Sequence, residues 1–195
     1  MQTNIIAAVD INGVFAIDGM IPWHSPEDMS KFKGITTNYG RHPDDPYNAV
    51  IMGRKTYESF PSKEGLKDRI NIVISKDFQQ GGLWSENLEE AVSFAEQVKC
   101  PHAFILGGHN IWHEAIKTAD KLFLTIFHDV YFDKHAAIHQ YFPYYWAICE
   151  HLDEIIIPPE SSTFSDVVEM ADGNHIAFCE IDLAALRRVQ PVVTR

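Results

Sequence analysis

The sequence predicts an α/β fold: a mostly parallel central β-sheet with flanking helices and an antiparallel edge on its C-terminal side. Three observations carry that expectation. Short apolar runs alternate with segments of helical period over the first two thirds of the chain, the pattern of parallel strands joined by crossover helices. Several of those runs (Asn4–Val9, Asn48–Met52, Ala103–Leu106) are apolar almost throughout, as in strands buried on both faces. The last third breaks the alternation, with two strand-like stretches on either side of an acidic, proline-bearing one.

Asn4–Val9 is the first buried strand, and Asp10-Ile11-Asn12-Gly13 ends it with turn residues. Val14–Met20 and the residues up to Trp23 read as a long irregular connection, a place where functional loops are found. Ser25 is placed to cap a helix whose first residue is Pro26, and Asp28, three after the serine, is the capping-box acid. Met29, Phe32 and Ile35 follow at helical spacing. Asp28 has two readings at this point. It is either a helix-start acid favoured by the dipole, or a carboxylate set among apolar side chains beside a Trp on a proline-stiffened loop.

Ile35–Tyr47, with Gly40, Pro43 and Pro46, reads as a surface loop. The strand Asn48–Met52 leads through Gly53 into a short helix that stops at Pro61. Arg69–Ser75 is a strand in which Ile70, Ile72 and Ile74 alternate. Gly81-Gly82 makes a turn before a brief strand at Leu83-Trp84. Asn87 caps a helix reaching Val98, with Leu88, Ala91, Val92 and Ala95 on one face and Pro101 beyond its end. Ala103–Leu106 is a strand, His109–Thr118 a helix and Lys121–Phe127 a strand. Tyr131–Tyr145 is aromatic-rich without a clear period. Tyr145–Leu152 and Asn174–Asp182 read as strands that pair antiparallel at the sheet edge, Asp153–Gly173 as an extended loop, and Leu183–Arg195 as a helical turn and tail. The expected organisation is one domain over 1–182, with an irregular insertion over 129–173, and a C-terminal extension over 183–195.

Across 195 residues, 27 acids against 16 Lys and Arg give a net charge of −11. That balance argues against nucleic acid or an anionic membrane surface as a general partner, and requires that any anionic ligand be held by local cations. No apolar run nears the ~18 residues of a membrane span. The N-terminus has neither the charged nor the apolar region of a signal peptide. Cys100, Cys149 and Cys179, odd in number and without a CxxC, fit reduced thiols in a cytoplasm.

Two strand-to-helix junctions can carry chemistry: Met52-Gly53-Arg54-Lys55-Thr56 and Leu106-Gly107-Gly108-His109-Asn110. Each puts glycine at the carboxyl end of a strand, where a ligand can approach the backbone and where the next helix offers unpaired N–H groups. Arg54 and Lys55, with Lys76 after the third strand, add positive charge at the same edge, which suits a ligand with several phosphates. Neither junction is GxGxxG or a Walker motif, and glycine before a helix also serves plain tight packing. The pairs His109/His113 and His135/His139 have metal-ligand spacing but no third ligand, so they read as surface or cap histidines, with no metal expected. No Ser or Cys sits in a nucleophile elbow.

Ile6–Asp10, Asp18–Trp23, Pro26–Met29 with Phe32-Lys33, Val50–Ser59, Arg69–Ser75, Ile105–Gly108 and Lys121–Thr125, in that order, resemble dihydrofolate reductases. The run x-P-W-x-x-P-x-D-[LM]-x-x-F-K and the run M-G-[RK]-[KH]-T-[WY]-E-S are the specific ones. The resemblance implies NADPH-dependent reduction of dihydrofolate to tetrahydrofolate, for one-carbon and thymidylate metabolism, with antifolates as further ligands; apart from it, the chain is expected to be cytoplasmic and a monomer. By position, Asp28 binds the pterin's amino group and ring N–H and assists protonation of the ring nitrogen, through water near Trp23. Its burial is expected to raise its pKa. Thr125 holds Asp28. Ile6, Met29, Phe32 and Leu106 wall the pterin pocket, and Arg69 pairs with the carboxylate of the glutamate tail, a task for its planar fork. The Ala8 backbone meets the nicotinamide amide, with Phe15 on the covering loop. Gly107, Gly108 and Thr56 hold the pyrophosphate; Arg54, Ser75 and Lys76 take the 2′-phosphate; Lys55 lies near the phosphates, and Trp112 is the aromatic after the glycine pair.

The chain departs from the family pattern at Phe15 and Ala16, at His109 and Asn110, in the long Thr37–Tyr47 loop and from Asp129 onward. Two other readings share the fold. One is a reductase of another heterocycle, such as the pyrimidine reductase of riboflavin synthesis, which is not expected to keep the Pro-Trp loop with Asp28 on the next helix. The other is a nucleotide-binding module without turnover, against which stand Asp28, Trp23, Thr125 and Arg69.

Overall fold

A computed structural model describes residues 1–62, 64–77, 83–129, 138–151, 167–169 and 175–189. The strands are β1 (Gln2–Asp10), β2 (Val14–Ile17), β3 (Ala49–Gly53), β4 (Ile70–Ile74), β5 (Leu83–Ser85), β6 (His102–Gly107), β7 (Lys121–Phe127), β8 (His139–Tyr141), β9 (Val167–Glu169) and β10 (His175–Asp182). The helices are α1 (Pro26–Asn38), α2 (Arg54–Glu58), α3 (Leu88–Gln97), α4 (His109–Ala115), α5 (Tyr145–Glu150) and α6 (Leu183–Val189). The contacts divide them into two units, one of Met1–Ile6 with Ser30–Ala119, the other of Ala7–Met29 with Asp120–Arg195.

In the first unit β1 pairs with β6, β6 with β3, β3 with β4 and β4 with β5, all parallel. The registers set Ile5, Ile105, Ile51 and Ile72 side by side, each of them buried. Burying such a side chain stabilises by about 1.5–3 kcal/mol, and this row explains why the runs lack alternation. Asn87 caps α3 as its position predicts: its side chain accepts the Glu90 N–H at 2.9 Å. Gly53, Ile74 and Gly107 all lie at the carboxyl ends of neighbouring parallel strands, which brings both glycine junctions to one edge.

In the second unit β10 runs antiparallel to β7 on one side and to β9 on the other. Leu122 lies opposite Ile181, and both are fully buried. A small separate sheet pairs β2 with β8, antiparallel, with a bulge between Val14 and Ala16. The α/β class therefore holds: a mostly parallel sheet, flanking helices and an antiparallel C-terminal pair.

Four local expectations are corrected. Val14–Ile17 is a strand rather than irregular chain; it is short, and its partner lies far along the sequence. α1 continues to Asn38 instead of giving way to a loop at Ile35. Thr36 and Thr37 turn their hydroxyls back onto the carbonyls of Phe32 and Lys33, at 2.8 and 2.7 Å, and so are buried in the helix without loss. Tyr145–Glu150 is a helix, not a strand. Tyr144 enters it in a left-handed conformation, and Tyr145 and Ile148, one turn apart, are its buried residues. The strand at the edge is thus β9, inside the stretch read as an extended loop. The Gly81-Gly82 turn, His135, most of the aromatic segment, Leu152, the rest of Asp153–Gly173 and the tail over 190–195 lie outside the described residues.

Candidate active site

The catalytic candidates are built on the start of α1 and the middle of β7. The Ser25 hydroxyl is buried, accepts the Asp28 N–H at 3.1 Å and donates to Glu27 at 3.0 Å. The cap therefore fixes where the helix begins, and it leaves the Asp28 side chain for other work. That carboxyl receives a hydrogen bond from the buried Thr125 hydroxyl. Burial pushes its pKa above the usual carboxylate range, and the Thr125 bond pulls it part of the way back. Phe127, two residues on from Thr125, presents its side chain on the same face of β7. Trp23 stacks on it, with ring centroids 4.5 Å apart and 29° between planes. One strand face thus positions both Asp28 and Trp23. Met29, expected on an apolar face, is instead 55% exposed. Ala8 and Phe15 are half-buried, Ala8 near the end of β1 and Phe15 within β2.

In the first unit Arg69 precedes β4. Its guanidinium donates to the Thr36 hydroxyl at 2.7 Å and to the Lys67 carbonyl at 2.9 Å, and lies 5.9 Å over the Phe32 ring. Burial lowers its pKa, against the opposing charge of Asp68. A cation fixed in this way, still holding unspent donors, is suited to a carboxylate. The sequence marks Thr36 only as a β-branched hydroxyl four residues after Phe32, which does not distinguish it. Phe127 was missed as the support of Trp23 because nothing local in β7 distinguishes it. Ile6 and Leu106 are both buried on their strands.

At the glycine edge the two junctions touch. A Cβ on Gly53 would meet Ile111 at 3.1 Å, the Gly107 carbonyl at 3.8 Å and the Gly108 nitrogen at 3.9 Å. Gly107 has φ +93°, and a Cβ there would lie 2.5 Å from the Trp112 indole. Only glycine satisfies both demands. The Gly107–Gly108 peptide is cis. Trp112 is itself buried, with its indole N–H given to the Ile105 carbonyl at 3.1 Å, so it acts on the glycine backbone from beneath. Above Gly108 there is open space. Of the cations, Lys55 and Lys76 are exposed, while Arg54 is half-buried and paired with Glu58 at 3.1 Å. Thr56 is half-buried in α2. The Ser75 hydroxyl is engaged within its own turn, donating to the Asp77 carbonyl and accepting its N–H, both at 3.1 Å. The edge gathers two glycine junctions and three cations, with Arg54 paired to Glu58 and Ser75 engaged in its own turn. His109 and His113 stack on each other on the exposed face of α4, and among the described residues no group of metal-ligating side chains gathers.

A family model described as "Dihydrofolate reductase" matches residues 2–155. The chain belongs to the dihydrofolate reductase family. The dihydrofolate reductase of Haemophilus influenzae is 34% identical over 127 residues, covering 64% of this chain and 71% of the relative. That of Buchnera aphidicola is 34% identical over 148 residues, covering 74% and 84%. A bifunctional dihydrofolate reductase-thymidylate synthase of Acanthamoeba polyphaga mimivirus is 31% identical over 191 residues, 92% of this chain but 30% of the relative. Membership agrees with the fold class. Among the described residues no helix is long and apolar enough to cross a membrane.

Proposed function

We propose that the chain is a dihydrofolate reductase that reduces dihydrofolate to tetrahydrofolate with NADPH as the hydride source. The observation that carries this reading is the carboxyl of Asp28, raised in pKa by burial and oriented by Thr125 on the first turn of a helix. Asp28 binds the pterin's amino group and ring N–H, and with its carboxyl raised in pKa by burial it assists protonation of the ring nitrogen through water beside Trp23. Ile6, Met29, Phe32 and Leu106 supply the apolar wall. Arg69, steadied by Thr36, takes the carboxylate of the glutamate tail.

NADPH fits the residues of the glycine edge: the space over Gly108, two adjoining glycine junctions and three cations suit a pyrophosphate with a further phosphate. Gly107, Gly108 and Thr56 hold the pyrophosphate, with Lys55 nearby and Trp112 setting the glycine backbone. Arg54, Ser75 and Lys76 take the 2′-phosphate, and the Ala8 backbone and Phe15 lie at the nicotinamide end. When bound, NADPH supplies hydride to the pterin carbon. The protein contributes position, one tuned proton donor and exclusion of water by the Asp10–Trp23 loop. The reading includes a cytoplasmic monomer inhibited by antifolates, and three free cysteines support it as regards location.

The test is the loss of reduced-nicotinamide absorbance on adding dihydrofolate to the chain and NADPH. Turnover that an antifolate abolishes is the expected result. Turnover only with another heterocycle, or none, rejects the reading.

A further inference from the structure

The segment Ile138–Glu150 has no part in the chemistry above, yet it grips the Asp10–Trp23 loop at several points. Asp18 donates its N–H to the Ile138 carbonyl, and its carboxylate accepts the Ile138 N–H, both at 2.9 Å. β8 pairs with β2, and the Phe142 N–H donates to the Gly13 carbonyl at 2.8 Å. The tightest point is the turn at the loop's start. Asp10, fully buried, accepts the N–H groups of Asn12 and Val14 at 2.9 and 2.8 Å. Gly13 has φ +81°, and a Cβ there would lie 2.5 Å from Cδ1 and 2.6 Å from Cγ of Tyr145, so the ring packs directly on the glycine. The Tyr145 hydroxyl donates to the Ile11 carbonyl at 3.1 Å. In contrast, Met20 and Ile21 near the loop's far end are 71% and 66% exposed.

We propose that Tyr145 is a positioning residue for the reduction: it clamps the Ile11–Gly13 turn and so sets the backbone between Ala8 and Phe15, where the nicotinamide end of NADPH is received. The inference rests on the proposed function above for its catalytic consequence, but not for the clamp. Tyr145 contributes in two ways: its ring fills the surface that only glycine leaves open, and its hydroxyl satisfies a backbone carbonyl of the turn. Burial and the neighbouring Cys149, Asp10 and Cys179 hold the Tyr145 hydroxyl well above the ordinary tyrosine range, so it stays a donor at every pH at which the enzyme works.

The experiment compares the full chain with Tyr145→Phe, which keeps the ring, and Tyr145→Leu, which loses it. Three readouts are taken: amide hydrogen exchange over 10–17 without ligands, KM for each substrate with kcat, and the isotope effect with NADPH deuterated at the transferred position. The clamp requires faster exchange in Tyr145→Phe at Asn12–Val14 while exchange in β3 and β6 is unchanged. It also requires a KM for NADPH raised roughly 3- to 10-fold, the range one neutral hydrogen bond supports, with a smaller change for dihydrofolate and a larger isotope effect. Tyr145→Leu is expected to move further in the same direction. Unchanged exchange at the turn, or kcat and kcat/KM that fall by one common factor with both KM values unchanged, as a reduced folded fraction gives, overturns the proposal. A wild-type chain that fails to oxidise NADPH with dihydrofolate rejects the proposed function instead, and the exchange result then still decides the clamp.

Discussion

The Thr125 hydroxyl donates to the Asp28 carboxylate and ties the first turn of α1 to the middle of β7. Burial and this bond act on the carboxyl in opposite directions, and burial is the larger effect. Thr125→Val removes the donor and leaves burial unopposed. The pKa of Asp28 then rises further, and the alkaline limb of the activity profile moves to higher pH. Loss of a hydrogen bond to a charged group, about 1.5–3 kcal/mol, is expected to cost roughly 10- to 100-fold in kcat/KM. A pH–rate profile of the variant checks both.

Asp28 also links stability to pH. Because its folded pKa lies above the ordinary value of 3.8, it binds its proton more tightly when folded. Its contribution to stability is therefore present below that value and is lost as pH rises through the folded pKa. Asp28→Asn removes a carboxylate that burial penalises. Its Tm is expected to exceed that of the wild type at mildly alkaline pH, and the gain to shrink as pH falls toward 3.8. Thermal unfolding across pH measures this, and a Tm below wild type at alkaline pH contradicts it.

Thr36 carries no charge, but its hydroxyl fixes the Arg69 guanidinium at 2.7 Å. Thr36→Val is expected to raise KM for dihydrofolate by about 10-fold, the scale of a hydrogen bond to a charged group, with kcat much less affected. A pterin substrate lacking the glutamate tail is expected to show no such change, which separates a role at the tail from a general loss of stability.

The two glycines before α4 are expected to respond differently. Gly107→Ala forces a Cβ into the Trp112 indole at a φ of +93°, so it destabilises the fold by at least ~1–3 kcal/mol. Gly108→Ala meets no protein atom within 4 Å, so its Tm stays near wild type while KM for NADPH rises, because the new methyl occupies the cradle. Unfolding curves and NADPH titrations of the two variants make the comparison.

What the chain reveals before its structure depends on how far the partners lie. The strands holding Ile5, Ile51, Ile72 and Ile105, and the caps at Ser25 and Asn87, follow from local pattern, since a buried run or a serine before proline declares itself within a few residues. β2 and β8 do not, because Val14–Ile17 is a strand only through a partner more than a hundred residues away. Tyr145–Leu152 reads as a strand because a short apolar run fits either period, and the left-handed Tyr144 that starts the helix leaves no mark in composition. For the site, the glycine junctions are visible as motifs, whereas the Asp28–Thr125 bond joins residues almost a hundred positions apart and came from the family resemblance alone. Thr36 and Phe127 act by supporting Arg69 and Trp23, and support of that kind is visible only in three dimensions.

The most direct test of the account is the pH dependence of dihydrofolate reduction by Asp28→Asn beside the wild type. If Asp28 handles the proton, turnover at neutral pH falls by roughly 10²- to 10⁴-fold and recovers in part as pH is lowered and solvent protonates the substrate. A variant that turns over at the wild-type rate at neutral pH would contradict the account.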